Sequence, residues 1–209
     1  MEFNEKQLAI IHTAEKLFSI TGFDGTSVRD IANEAGINVA MVSYYFGSKE
    51  KLMEAVFEHR TNQMRIKVEN MLQNDAISHL EKFYLIIDEY VDKFVSRQEF
   101  HKLMMREQFN EKGTQITDMI HEVKLKNLAS ITKLIKAGQK SGDFAKNVDV
   151  VLMMATITGT VSQVINSQRF YRETHNMTDL PTEEFNKHIR KKLSTYLKNI
   201  FKTFLINEA

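Results

Sequence analysis

The part of this 209-residue chain that most constrains its fold is residues 26–49, TSVRDIANEAGINVAMVSYYFGSK. It reads as two short helices joined by a tight turn. Thr26 or Ser27 can cap the first helix, because each carries a side-chain oxygen that accepts from free backbone N–H groups. Gly36 stands where a chain leaving a helix needs a left-handed residue, and Asn38 can cap the second helix. The stretch therefore predicts a helix-turn-helix.

The second helix of this stretch has an inward face with Val42 and Phe46 and an outward face of small, hydroxyl-bearing and aromatic residues. Such an outward face suits the major groove of DNA. Of the two neighbouring tyrosines, we expect one to pack inward and Tyr45 to face outward. Lys49 begins the next helix, where its charge and the helix N-terminus both favour a phosphate. The candidate DNA-binding residues are Thr26, Ser27, Asn38, Val39, Ala40, Met41, Ser43, Tyr44, Tyr45 and Lys49.

These residues resemble the helix-turn-helix of the TetR family of one-component transcriptional regulators. The resemblance rests on Thr26-Ser27, Ile31-Ala32, Ala35-Gly36-Ile37 and the run 44–52, YYFGSKEKL. The last run is the most specific part, because other helix-turn-helix proteins do not continue with it. Residues 42–43 depart from the family, which often carries Leu-Tyr there, so base specificity does not transfer to this chain.

The composition fits a long-helical globular protein. Hydrophobic residues make up 43% and charged residues 26%, and the single Pro and eight Gly favour uninterrupted helices. The lack of Cys excludes a disulfide scaffold and a thiolate metal site. The first residues, MEFNEKQLAII, lack the basic and apolar parts of a signal peptide. We therefore expect a cytoplasmic protein.

The charge distribution works against strong non-specific DNA binding. The whole chain has a net charge of +1, whereas six basic and nine acidic residues give residues 1–60 a net charge of −3. A DNA-binding head is expected to be basic on its contact face. Most of the acids must then lie on other faces, and non-specific affinity should be modest.

Hydrophobic periodicity predicts an all-α chain of about nine helices. Three form an N-terminal helix-turn-helix head, and the rest form a larger regulatory body. We expect a DNA-binding domain at 1–50 and a ligand-binding and dimerisation domain at 51–209, with the border inside helix 4. The predicted helices cover residues 5–21, two short spans within 26–47, 48–74, 76–95, 98–109, 114–140, 148–171 and 181–206.

Helix 8 stands out because residues 150–168 carry no charge and are apolar on all sides. Such a helix is covered on two sides or lies in a membrane. Its Thr, Gln and Asn content argues against a membrane span. One cover is the body itself, and the other is a second subunit that Ala155 and Gly159 would let approach closely. The family resemblance likewise implies a homodimer in which helices 8 and 9 form a four-helix bundle.

No motif predicts catalysis, a cofactor or a metal site. The chain has no nucleophile elbow, phosphate loop or dinucleotide fingerprint, and no two His residues stand three or four apart. The Met and Phe content of helices 5 to 8 fits either ordinary core or an apolar cavity. The family resemblance favours a cavity for a small apolar effector. Its predicted lining is Phe83, Phe94, Phe100, Met104, Phe109, Met119 and Met153.

The resulting hypothesis is a homodimeric transcriptional regulator, most often a repressor in this family, that binds a palindromic operator in double-stranded DNA and is released by a small apolar effector. Two recognition helices would then lie about one DNA turn, ~34 Å, apart. The alternative is a helical interaction protein of the same fold whose body binds another protein. An enzyme is not expected.

Overall fold

The computed structural model describes residues 3–108 and 115–206, including all of their side chains except those of 62–65 and 115. Every regular element in these ranges is an α-helix, which confirms the all-α fold class. The described part holds ten helices where about nine were predicted. They are α1 (Glu5–Thr21), α2 (Val28–Glu34), α3 (Val39–Phe46), α4 (Lys49–Gln73), α5 (His79–Ser96), α6 (Gln98–Gln108), α7 (Gln115–Ser141), α8 (Val150–Asn166), α9 (Gln168–Thr174) and α10 (Thr182–Leu205).

The additional helix arises at Ser167, where the predicted single helix over residues 148–171 divides. The axes of α8 and α9 differ by 77°. Ser167 leaves the helical conformation, with φ −108° and ψ 35°, and its hydroxyl donates to the carbonyl of Gln163 at 2.6 Å. A serine that bonds the preceding turn bends or ends a helix. The prediction of one continuous helix was therefore wrong.

The start of α5 also differs from the sequence prediction. The helix begins at His79 and not near Ala76, because Ser78 and Glu81 form a reciprocal cap. The Ser78 hydroxyl accepts from the Glu81 N–H at 3.2 Å, and the Glu81 carboxylate accepts from the Ser78 N–H at 2.9 Å. Two backbone donors at the helix start are satisfied in this way.

The chain divides into two compact units. The first consists of Met1–Met64 and Glu99–Lys124, and the second of Arg65–Gln98 and Leu125–Ala209. Helices α4 and α7 therefore contribute residues to both units.

The first unit has an apolar core to which six helices contribute. The largest contributions come from α1 and α4, and α2, α3, α6 and α7 complete the core. Phe57 and Phe100 meet edge to face with ring centroids 5.3 Å apart. Burying such a side chain stabilises the fold by about 1.5–3 kcal/mol. The buried core residues are Ile10, Ile11, Ala14, Phe18, Ile31, Ala32, Val42, Leu52, Met53, Ala55, Val56, Phe57, Phe100, Leu103, Ile116 and Ile120.

The second unit is organised around α5, against which both α8 and α10 pack. Phe83 of α5 meets Phe201 of α10 edge to face, with centroids 5.6 Å apart. Helix α8 buries one stripe with a spacing of four residues, which consists of Met153, Ile157, Val161 and Ile165. One side of α8 is thus covered within the chain.

The remaining faces of α8 and α10 carry exposed apolar side chains. Leu152 is 65% exposed and Phe204 is 53% exposed. A Cβ atom added to Gly159 would meet no heavy atom within 4 Å. Over the residues described, no helix taken singly has the length and hydropathy to cross a membrane, while the bent pair α8 and α9 passes on length and composition alone.

Candidate nucleic-acid interface

The turn between α2 and α3 is fixed by backbone hydrogen bonds. Gly36 has φ +66°, which a residue with a side chain rarely adopts. Its N–H donates to the carbonyl of Asn33 at 3.1 Å, and the N–H of Ile37 donates to the carbonyl of Ala32 at 2.9 Å. This pair of bonds satisfies the last carbonyls of α2, and Ile37 packs on the core of the first unit. The predicted left-handed turn at Gly36 is confirmed.

Side-chain caps fix the starts of both helices. The Ser27 hydroxyl accepts from the Asp30 N–H at 3.1 Å, while the Asp30 carboxylate accepts from the Ser27 N–H at 2.9 Å. The Asn38 side chain accepts from the Ala40 N–H at 2.9 Å. Both caps were predicted and are confirmed. The hydrogen bonds from Ser27 also lower the pKa of Asp30, so the carboxylate is ionised where the helix dipole favours it.

Helix α3 is anchored by Val42, which is 2% exposed, and by the partly buried Phe46. Its other side presents Val39, Ala40, Ser43 and Tyr44 to solvent, and Met41 is half-buried. This outward face is short and uncharged, and Tyr44 is its largest side chain. A DNA major groove is wide enough to admit one α-helix, so α3 can enter it with this face towards the bases.

The two tyrosines of α3 have exchanged their expected roles. Tyr44 is 81% exposed, whereas Tyr45 is half-buried and packs on the core of the first unit. The reason is helical geometry, because Tyr45 follows the buried Val42 by three residues and so shares its face. The expectation that Tyr45 faces outward was wrong, and Tyr44 holds that position.

Thr26 also differs from its prediction. Its side chain is 2% exposed, and its hydroxyl donates to the carbonyl of Gly22 at 2.8 Å and contacts the Thr21 hydroxyl at 2.6 Å. A buried hydroxyl with two partners has little capacity left for another molecule. Thr26 therefore fixes the segment before α2, and Ser27 is the exposed hydroxyl residue of the pair.

Lys49 lies at the start of α4 but its ammonium group points back to the α1–α2 segment. It donates to the carbonyl of Phe23 at 2.9 Å and to that of Thr26 at 3.0 Å, and it lies 4.3 Å from the centre of the Phe23 ring. An ammonium group has three donors, so one remains beyond these two bonds. Lys49 thus connects the start of α4 to the residues that precede α2.

Ion pairs hold three of the nine acids in residues 1–60. Each pair joins one acid to one base of the first unit, so the pairs leave the net charge of −3 unchanged. The pairs are Glu15 with Arg60 at 2.6 Å, Glu34 with Lys16 at 2.8 Å and Glu54 with Lys51 at 2.7 Å. Arg29, in the first turn of α2, is exposed. It was not among the predicted contacts, although its position next to the Ser27 cap was visible in the sequence.

The residues predicted to line an effector cavity are distributed over both compact units. Phe83, Phe94 and Met153 are buried in the second unit. Phe100 belongs to the core of the first unit, and the partly buried Met104 and Met119 pack against that core. Phe109 lies outside the described residues.

The second unit also holds titratable groups, the buried Tyr90 and the partly buried Lys93, that the prediction did not name. Burial raises the pKa of Tyr90 to about 12, although a hydrogen bond with Asn127 partly opposes the shift. Burial and the neighbouring Arg97 charge lower the pKa of Lys93 to about 8. Among the side chains that the structure describes, no three His, Asp or Glu residues come together in a way that could hold a metal ion.

A capped helix-turn-helix with an exposed second helix defines this chain as a DNA-binding protein of the helix-turn-helix class. The family model described as bacterial regulatory proteins of the tetR family matches residues 10–56, and the model of the tetracyclin repressor-like C-terminal domain matches residues 80–195. The second match alone spans more than half of the chain. The chain belongs to the tetR family, and it is a DNA-binding transcriptional regulator.

Individual relatives agree with this assignment. The regulator YttP of Bacillus subtilis is 30% identical over 138 residues, which are 65% of this chain and 65% of that protein. The transcriptional repressor NicS of Pseudomonas putida is 30% identical over 162 residues, which are 71% of each chain. The crystal structure of FadR from Bacillus subtilis in complex with stearoyl-CoA has a TM-score of 0.63 at 19% identity, covers 90% of this chain and 97% of that one, and shows the shared fold.

Proposed function

We propose that this regulator is a cytoplasmic homodimeric repressor that binds a palindromic operator through α3 and is released by a small apolar effector. The observation that carries the proposal is the outward face of α3, on which Ala40, Ser43 and Tyr44 are exposed between two fixed helix ends. Repression is supported by NicS, which is named a repressor.

The proposed docking places Ala40, Ser43 and Tyr44 in the major groove. Few of these side chains can make two hydrogen bonds to one base. Methyl contacts to thymine and the shape of the DNA then carry much of the specificity. Other predicted residues of the face, Val39 and Met41, would flank these contacts, with Asn38 at the entry to the helix.

Phosphate contacts would fix the position of α3. The exposed Arg29 at the start of α2 is suited to this, because a guanidinium and free N–H groups bind phosphate oxygens, whereas the Ser27 hydroxyl already donates to the Asp30 carboxylate at 2.6 Å. Lys49 is a second candidate, through the one N–H that its two carbonyl bonds leave. Tyr45 would act only indirectly, by packing against Tyr44, because the centroids of the two rings lie 5.3 Å apart.

The exposed apolar faces of α8 and α10 support the homodimer. Val151 and Leu152 on α8 and Tyr196 and Phe204 on α10 are all more than half exposed. A concentration of exposed large apolar side chains of this kind marks an interface with another protein. Gly159, with open space above it, would let a second copy approach α8 closely.

Release by an effector follows from linked equilibria. A ligand lowers operator affinity only by the amount by which it prefers the DNA-incompetent conformation. FadR, which shares this fold, is named in a complex with stearoyl-CoA, and this supports an effector with a long apolar part. The predicted apolar lining in the second unit, Phe83, Phe94 and Met153, would contact such a part.

Selection of bound sequences from random double-stranded DNA tests the central claim. We expect a palindrome whose half-sites lie about one helical turn apart, ~34 Å. Sedimentation of the free protein at micromolar concentration should give a dimer. Enrichment of no sequence at all, or a monomer that binds a single half-site, would overturn the proposal.

A further inference from the structure

The second unit contains a groove of about 440 Å³ between the last turns of α4, the start of α5 and the middle of α7. This volume lies within the usual range for small-molecule sites. None of the residues in the groove belongs to the predicted apolar lining. The groove is bordered by Glu69, Leu72, Gln73, Asp75, His79, Lys82, Ser130, Lys133, Leu134 and Ala137.

Lys82 is the most unusual of these residues, because its side chain is only 7% exposed. Its ammonium group donates to the carbonyl of Leu72 at 3.0 Å and lies 3.9 Å from the Asp75 carboxylate. A distance of 3.9 Å is too long for a hydrogen bond, and the Asp75 side chain is fully exposed. A buried ammonium group with one short hydrogen bond is a favourable site for an anion, which would replace the hydration that burial removes.

The other charges in the groove limit what that anion can be. Lys133 adds a second positive charge from α7, and Glu69 and Asp75 add two negative ones. The four charges sum to zero, so each negative charge that a ligand brings makes the groove more negative, and a ligand with one charge, which can pair with Lys82 or Lys133, is favoured over one with several. His79 is held in place, since its Nδ1 lies 2.6 Å from the Asp143 carboxylate and the hydroxyl of Ser141 also bonds that carboxylate.

The groove also offers apolar surface next to the lysines. Leu134 is 3% exposed, Leu72 is half-buried and Ala137 contributes a methyl group from the next turn of α7. From these features the geometry points to a binding site for a monoanionic amphiphile, an aliphatic carboxylate, with its carboxylate at Lys82 and Lys133 and its chain on Leu72, Leu134 and Ala137. As an effector site it rests on the proposed function, where it specifies the effector as an acid and replaces Phe83, Phe94 and Met153 as the surface that holds the aliphatic chain.

Binding of octanoate to the full-length protein tests the site directly. Titration calorimetry and thermal unfolding at pH 7.5 should show binding and stabilisation by octanoate, and neither by 1-octanol nor by octyltrimethylammonium. Lys133→Gln and Ala137→Glu should each weaken binding about tenfold, because one removes a charged partner and the other adds a negative charge. Lys136→Gln is the matched control, since Lys136 is an exposed lysine on the same helix that does not border the groove.

The site is refuted if octanoate does not bind, if octanol or the cation binds equally well, or if Lys133→Gln and Lys136→Gln have the same effect. Lys82→Met is a further variant, but it also removes the bond to Leu72, so the exposed positions on α7 decide the question. The effector role requires that octanoate lower the affinity of the wild-type protein for its selected operator, and an unchanged affinity overturns that role. Operator selection is done without ligand and does not depend on the groove. The DNA-binding proposal can therefore stand when octanoate does not bind, and octanoate binding can stand when no operator is selected.

Discussion

The outward face of α3 and the outward faces of α8 and α10 are both exposed, but they differ in chemistry. On α3 the exposed residues other than Val39 are small or carry a hydroxyl, as Ala40, Ser43 and Tyr44 do. On α8 and α10 the exposed residues include several large apolar ones, such as Leu152 and Phe204. The first surface suits polar groove edges and phosphates, and the second suits a protein surface that excludes water. Exposure alone does not distinguish the two partners, whereas side-chain chemistry does.

The largest effect should come from placing a charge on the apolar face. Gly159→Arg is expected to convert the dimer to a monomer, because a buried charge without a partner costs about 3 kcal/mol or more. Within one chain the change should be tolerated, since a Cβ at this position meets no heavy atom within 4 Å. Sedimentation across a concentration series measures the shift in dimer dissociation.

The matched control for this variant is Ala129→Arg, which places the same charge on an exposed residue of α7. Ala129→Arg should remain a dimer. If Gly159→Arg sediments like the wild type, the exposed face of α8 is not a dimer interface. The conclusion that α8 and α3 bind different kinds of partner would then be wrong.

Lys49→Ala should act on the head in two ways that can be measured separately. Loss of the hydrogen bonds to Phe23 and Thr26 should lower the free energy of unfolding by about 2 kcal/mol, measured by denaturant titration without DNA. If Lys49 also contacts a phosphate, the slope of log affinity against log salt should fall by about 1.8 for a dimer, because each contact releases ~0.9 counterion. A lower stability with an unchanged salt slope would restrict Lys49 to its internal role.

Tyr44→Phe should lower operator affinity about tenfold, since a dimer would lose two hydroxyl contacts that contribute roughly 0.7 kcal/mol each. Tyr196→Phe is the control, because it removes the same hydroxyl from an exposed tyrosine on the apolar face. It should leave DNA binding unchanged. Equal effects of the two variants on operator binding would contradict the division of roles between α3 and α10.

The smallest effect is expected at the cap of α2. Ser27→Ala should lower the free energy of unfolding by about 1 kcal/mol at pH 7. The pKa of Asp30 is lowered in the folded protein by its bonds to Ser27, so its contribution is present above the ordinary carboxyl pKa of about 4 and is lost as pH falls through the lowered value. Unfolding measured from pH 7 to pH 2 should therefore show a smaller loss of stability in Ser27→Ala than in the wild type. An equal loss of stability in both proteins would show that the bonds between Ser27 and Asp30 are not the source of this pH dependence.

Features set by neighbouring residues were predictable from the sequence. The caps at Ser27 and Asn38, the turn at Gly36 and the bounds of α1 all depend on contacts within a few residues. The side of α3 that Tyr44 takes was predictable but was missed, because Tyr45 follows the inward Val42 by three residues and so shares its face. The distribution of the predicted cavity residues over two units depends on contacts between distant segments, such as that of Phe57 with Phe100. No local pattern specifies such contacts.

The exposed apolar faces of α8 and α10 have a further consequence for gene dosage. A regulator that assembles through them exists mainly as separate chains when its copy number is low, and by mass action the number of dimers then varies with the square of the number of chains. Halving expression would leave roughly a quarter of the dimers. Operator occupancy would respond more steeply to the amount of protein made than it would for a regulator that binds as a single chain.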